Sequence, residues 1–221
     1  MKIINAEGGQ MSGRVGNMIY YVRDGKTYAR RARIPGKKRK WETEGRDERN
    51  AAAARRFGVM QRMYSLFARE VSPEIWRAAA RARGMMAANL FHSLNFACVD
   101  GQGRLANPEA FRFSEGELTV PPGLTVAPAG GDAEGTWFEA AWEAEEEWGL
   151  AAPTDRLVVG VMYADDPLST RLAAEVSGTR GELHGRFRLE TGRGGAAHAY
   201  LFFAREDGAA FSPSRHFRLE A

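Results

Sequence analysis

A chain of 221 residues, 44% hydrophobic and 27% charged, is long and apolar enough to bury a core without metal or disulfide staples. Its one cysteine, Cys98, excludes an internal disulfide, and its four scattered histidines offer no common zinc spacing. The net charge of +3 conceals an asymmetry: residues 1–100 carry 20 basic and 9 acidic side chains, residues 101–221 carry 11 and 19.

That asymmetry implies a polyanionic partner for the basic half, or contact between oppositely charged halves of neighbouring copies. The start, MKIINAEGGQM, lacks the apolar stretch of a signal peptide. No apolar run approaches the roughly 18 residues of a spanning helix. A cytoplasmic location is therefore expected, with export by a signal-less route as the alternative.

In chain order, Gly8, Gly9, Gly13 and Gly16 mark a lead-in of turns or close backbone approaches. Residues 17–23 (NMIYYVR) are rich in strand formers, and Asp24-Gly25 is a two-residue hairpin signal. Lys26–Arg33 is the return strand, with Lys26, Tyr28 and Arg30 alternating with Thr27, Ala29 and Arg31. Neither face reads as strongly apolar. Pro35-Gly36 ends the strand, and Lys37, Lys38, Arg39, Lys40 and Trp41 follow. Seven basic residues and no acid lie between Arg30 and Lys40. Such a run beside Tyr20, Tyr21, Tyr28 and Trp41 fits a nucleic-acid surface, where cations meet phosphate and rings stack on bases. A solvated basic linker, or a surface for an acidic protein, has the same composition.

Residues 47–71 place Phe57, Met60, Tyr64, Phe67 and Val71 on one helical stripe. Ser72 and Pro73 are the cap and first-turn residues of a second helix running to about Ala97. Its expected buried face is Trp76, Ala80, Ala87, Leu90, Phe91 and Leu94. Met60, Met63, Met85 and Met86 read as core, or as an adaptable sticky surface. Arg77, Arg81 and Arg83 would extend the positive character, although a row of this kind is commonly a solvated helix face. His92 reads as a partly buried structural histidine.

Beyond Val99 the composition shifts to short strand-forming runs between Gly, Pro and Asp. Strands are expected near 117–120, 124–127, 136–143, 156–163, 170–176, 183–190, 197–205 and 210–219. Short strands at this spacing suggest an immunoglobulin- or fibronectin-like sandwich. The acidic run Glu143, Glu145, Glu146 and Glu147 is a solvated turn or a contact for a basic partner. No GxSxG, HExxH or phosphate-binding loop is present.

Several segments together carry a resemblance. They are Ser12–Asn17 (SGRVGN), the Tyr20-Tyr21-x-Arg23-x-Gly25-Lys26 hairpin, Arg30-Arg31, Arg55-Arg56-Phe57, Ala88-Asn89, and the run from His198 to Phe203 with Ser212. Across nearly its whole length the chain resembles an uncharacterised Bacteroidota domain-of-unknown-function family of similar size. The resemblance implies no activity and no catalytic residues. The chain departs from that family at Lys37–Arg49, where a charged link replaces a polar Thr/Gln-rich one. More distantly, the hairpin resembles structural proteins of phages and mobile elements.

The expected architecture is an α+β chain: a basic β-hairpin arm and linker (1–46), a helical hairpin (47–98) and an immunoglobulin/fibronectin-like β-sandwich (99–221). The expected role is non-enzymatic, without cofactor, metal or membrane span. It is self-association or docking to a protein partner through Tyr20, Tyr21, Tyr28 and Glu143, Glu145, Glu146, Glu147. The alternative is nucleic-acid or polyanion binding without sequence preference, through Arg30, Arg31, Arg33, Lys37, Lys38, Arg39, Lys40 and Trp41.

Overall fold

The computed structural model describes residues 4–5, 11–23, 25–32, 44–133, 135–145, 148–190 and 196–220. The chain divides into two compact units, residues 1–44 and 45–221. In the first, β2 (Met11–Val15), β3 (Met18–Arg23) and β4 (Lys26–Arg31) form an antiparallel meander, extended by the two-residue β1 (Ile4–Asn5). The expected hairpin is present, with Tyr21 opposite Tyr28 and Tyr20 opposite Ala29. Gly25 adopts φ +72° in its turn, a conformation glycine takes without Cβ strain. Strand β2 was hidden in sequence because its glycine-rich run reads as lead-in.

The second unit begins with α1 (Glu44–Glu70), α2 (Pro73–Ala82) and α3 (Ala87–Asn95). The Ser72 hydroxyl accepts from the Glu74 N–H at 3.2 Å and caps α2. The single helix expected from 73 to 97 is two helices. Gly84, at φ +60°, donates to the Arg81 carbonyl, and Met85 donates to Ala80 at 2.9 Å. This paired closure ends α2, and a glycine supplies its left-handed residue. Along α1 the buried stripe is Met60, Met63 and Phe67. Phe57, expected in the core, is 52% exposed. The real stripe is turned toward Met63.

The remaining strands form two four-stranded antiparallel sheets. One has the order β5 (Thr125–Gly131), β6 (Gly135–Ala141), β10 (His184–Glu190), β9 (Ala174–Ser177). The other has the order β12 (Arg215–Glu220), β11 (Ala196–Ala204), β7 (Arg156–Tyr163), β8 (Asp166–Leu172). The expected strand at 117–120 is irregular chain, and the expected strand at 170–176 is two strands in different sheets. The chain changes sheets at Ala173, beside Glu175 at φ +52°.

The second sheet is buried on both faces. Val159, Val161, Ala199, Leu201 and Phe203 meet Phe138, Ala140, Trp142, Phe187 and Leu189 of the first sheet. From the same strands, Met162, Tyr200 and Phe202 point the other way, into a core with Met60, Phe67, Trp76 and Phe91 of the helices. The layers are therefore helices, sheet and sheet. This double burial explains the near-continuous apolar runs LVVGVMY and AYLFF, which a sheet with one wet face does not need.

A strap from Phe111 to Leu118 joins helices to sheet. Phe113 packs among Phe67, Tyr200 and Phe202, with ring centroids 4.9 to 6.0 Å away. The Ser214 hydroxyl accepts from the Phe113 N–H at 3.0 Å, and the Ser114 hydroxyl donates to the Ser212 carbonyl at 2.8 Å. Side-chain and backbone contacts of this kind hold the segment without a strand ladder. Phe113 lies directly over Gly160 of β7, where an added Cβ would stand 2.4 Å from the ring. Gly160→Ala is therefore expected to cost roughly 1–3 kcal/mol through overpacking, read as a lower urea midpoint. An unchanged midpoint would contradict the packing of the strap on β7.

Candidate functional site

The register of the N-terminal sheet sorts its side chains into two faces. Arg14 pairs with Ile19 and Ile19 with Arg30, while Tyr21 pairs with Tyr28. Strand alternation puts Lys26 on this same face. The Tyr21 and Tyr28 rings stack across the strands, with centroids 5.7 Å apart and planes 20° apart. Arg14 Nε donates to the Gly16 carbonyl at 3.0 Å, which orients the guanidinium without neutralising it. Arg14, Lys26 and Arg30 are exposed, and no described residue forms an ion pair with any of them.

The opposite face carries Met18, Tyr20 and Val22 on β3, against Arg31, Ala29 and Thr27 on β4. Val15, opposite Met18, and Val22 are exposed there. Every residue of the edge strand β4 is exposed.

The structure thus unites Tyr21, Tyr28 and Arg30 and separates them from Tyr20 and Arg31. Arg33, Lys37, Lys38, Arg39, Lys40, Trp41, Glu146 and Glu147 lie outside the described residues. Two further members of the mixed face, Arg14 and Lys26, were missed by sequence reading. Lys26 was recoverable, because a two-residue loop at Asp24-Gly25 fixes which residues stand opposite. Arg14 required the unforeseen strand β2.

The acidic run behaves differently. Glu143 is exposed, but the Glu145 side chain is only 8% exposed and its Oε2 lies 2.5 Å from Arg180 Nη1. Arg180 is 1% exposed, donates to the Thr119 carbonyl at 2.8 Å and lies over the Phe203 ring. Its Nε is 3.4 Å from Asp155 Oδ2, an ion-pair contact without a hydrogen bond. The Glu145 carboxylate is therefore committed inside the molecule, where unpairing it would leave a buried charge. Arg77, Arg81 and Arg83 are also matched: Arg77 and Arg81 reach Glu74, and Arg83 reaches Glu115.

Among the described residues no three His, Cys, Asp or Glu side chains group as metal ligands. No described helix is long and apolar enough to cross a membrane. The Cys98 thiol is buried, and burial raises its pKa, so it is held protonated. Glu139, Glu182, His184 and Arg186 line an open hollow of about 320 Å³ on the outer face of the first sheet. Within it, the Glu182 carboxylate is occupied by the backbone N–H and hydroxyl of Thr179, which hold its pKa below the usual range.

His198 and His216 form a closer pair, with Nδ1 and Nε2 at 2.9 Å and the rings stacked. One nitrogen must donate and the other accept, so two imidazolium rings cannot share this geometry. Burial lowers both pKa values. Arg218 lowers that of His198 further, His198 lowers that of His216, and Glu109 partly opposes both shifts. Groups with depressed folded values bind more protons when unfolded, so stability falls as pH drops below the ordinary histidine value of about 6.5. The unfolding midpoint is expected to decrease from about pH 7 to about pH 5, and His198→Asn with His216→Asn to flatten that dependence. An acid dependence identical in the double variant would remove the pair as its source.

Comparison of the chain with known protein families, curated proteins and solved structures returns no match.

Proposed function

We propose that this is a non-enzymatic assembly protein, in which the N-terminal sheet docks onto a second copy of the chain. The observation that carries this reading is the state of β4: an edge strand whose six residues, Lys26–Arg31, are all exposed. Val15, Tyr21, Val22 and Tyr28 are exposed on the same small sheet. A meander of this size buries too little apolar surface to be stable alone, and an open edge is a template for a further strand. Residues 1–44 carry 11 basic and 4 acidic side chains, whereas residues 45–221 carry 20 and 24. Opposite charge on the two units favours encounter between copies and sets its orientation more than its strength.

The body is read here as an immunoglobulin-like sandwich with helices laid on one sheet. In chain order, β5 to β12 occupy the positions A, B, C, C′, D, E, F and G of that architecture. The orders β5-β6-β10-β9 and β12-β11-β7-β8 then correspond to A-B-E-D and G-F-C-C′. The analogy supports a binding or structural scaffold and assigns no chemistry.

Size-exclusion chromatography with light scattering, across protein and salt concentration, tests the reading. A species larger than the 24.4 kDa chain is expected, converting to monomer in Val15→Lys with Val22→Lys. A monomer under every condition would overturn it.

A further inference from the structure

We propose that the mixed face of the N-terminal sheet binds single-stranded nucleic acid, with bases stacking on Tyr21 and Tyr28 and phosphates meeting Arg14, Lys26 and Arg30. This goes beyond assembly, which uses the β4 edge and the opposite face, at Val15 and Val22.

The rungs of this face alternate in chemistry along the sheet. Arg14, Ile19 and Arg30 form one rung. Tyr21 and Tyr28 form the next rung on that face, and Lys26 stands one step beyond on β4. Successive rungs on one face are about 7 Å apart, so an aromatic step is bracketed by cationic steps. A nucleic-acid strand offers the complementary alternation of flat apolar base and charged phosphate.

The rings are available for this. Tyr21 and Tyr28 are 41% and 42% exposed. They cover one ring face of each other and leave the outer faces open. Tyr28 lies on β4, with no described strand beyond it in the single chain. On the other side, continuing the pairing of Gly13 with Tyr20 puts the small Ser12 opposite Tyr21.

The charge is available as well. Apart from Asp24, residues 11–32 contain no carboxylate. An acidic protein surface would satisfy the cations but leave the two rings without planar partners. A duplex would satisfy the cations while keeping its bases stacked inside. The combination selects unpaired bases, read without sequence preference because every base presents a ring face.

Fluorescence anisotropy of the 221-residue chain with a labelled oligothymidylate of about 12 nucleotides tests the proposal. Binding is expected at low salt. Tyr21→Leu with Tyr28→Leu should weaken it at least about tenfold, and Tyr21→Phe with Tyr28→Phe should retain it, because stacking requires the ring and not the hydroxyl. Arg14→Gln with Arg30→Gln, two exposed changes that do not threaten the fold, should lower the slope of log affinity against log salt by about 1.4. Replacing Lys37, Lys38, Arg39 and Lys40 with alanine should leave the tyrosine dependence in place.

No binding by the wild type would overturn the proposal. So would an unchanged affinity in the double-leucine variant, or equal competition by duplex DNA or inorganic polyphosphate. Loss of all binding on removal of residues 37–40 alone would transfer the activity to the linker and equally overturn it.

Discussion

The body of the molecule depends on burying one sheet on both faces. Strands β7 and β11 lie at its centre, and neither has a position that water can reach along most of its length. Alternate residues serve two cores: Val159, Val161, Leu201 and Phe203 on one side, Met162, Tyr200 and Phe202 on the other. Double burial also forces the one small residue in β7. Gly160 leaves room for Phe113, and Phe113 in turn closes the space between sheet and helices. Around that point Phe67, Trp76, Phe91 and Phe111 make a continuous set of edge-on and tilted ring contacts. Such pairs add about 0.5–1.5 kcal/mol each beyond their burial.

The N-terminal sheet is built under the opposite condition. Its two faces differ in chemistry more than in burial, with Arg30, Lys26 and the stacked Tyr21 and Tyr28 on one and the exposed Val22 beside Tyr20 and Arg31 on the other. The body has neutralised much of its own charge, through Arg180 with Glu145, Arg77 and Arg81 with Glu74, and Arg83 with Glu115. Arg14, Lys26 and Arg30 have no such counter-ion among the described residues.

Much of the fold was legible in the residues because local and global signals agreed. The hairpin at Asp24-Gly25, the Ser72-Pro73 helix start and the runs that became β7 and β10 each carry strong local chemistry. What was missed shares one physical cause, namely that tertiary contact overrides local preference. Residues 117–120 have strand formers but join no ladder, because the Leu118 N–H donates to the Phe211 carbonyl and the Thr119 carbonyl accepts from the Arg180 guanidinium. Phe57 lies on the periodic stripe but faces outward, since Met63 occupies the centre of the interface. The candidate site was half legible. Composition marked the basic, aromatic arm, but only the strand register could separate Tyr21, Tyr28 and Arg30 from Tyr20 and Arg31. The carboxylate of Glu145 reads as surface charge in sequence, and its burial follows from a partner 35 positions away.

The central claim is that the N-terminal sheet is completed by another molecule. Hydrogen exchange of the amides in residues 11–32, followed by mass spectrometry as a function of protein concentration, tests it most directly. Rapid exchange is expected in dilute protein and marked slowing on association, while β7 and β11 stay protected throughout. Protection of residues 11–32 equal to that of β7 and β11 at the lowest concentration would contradict it.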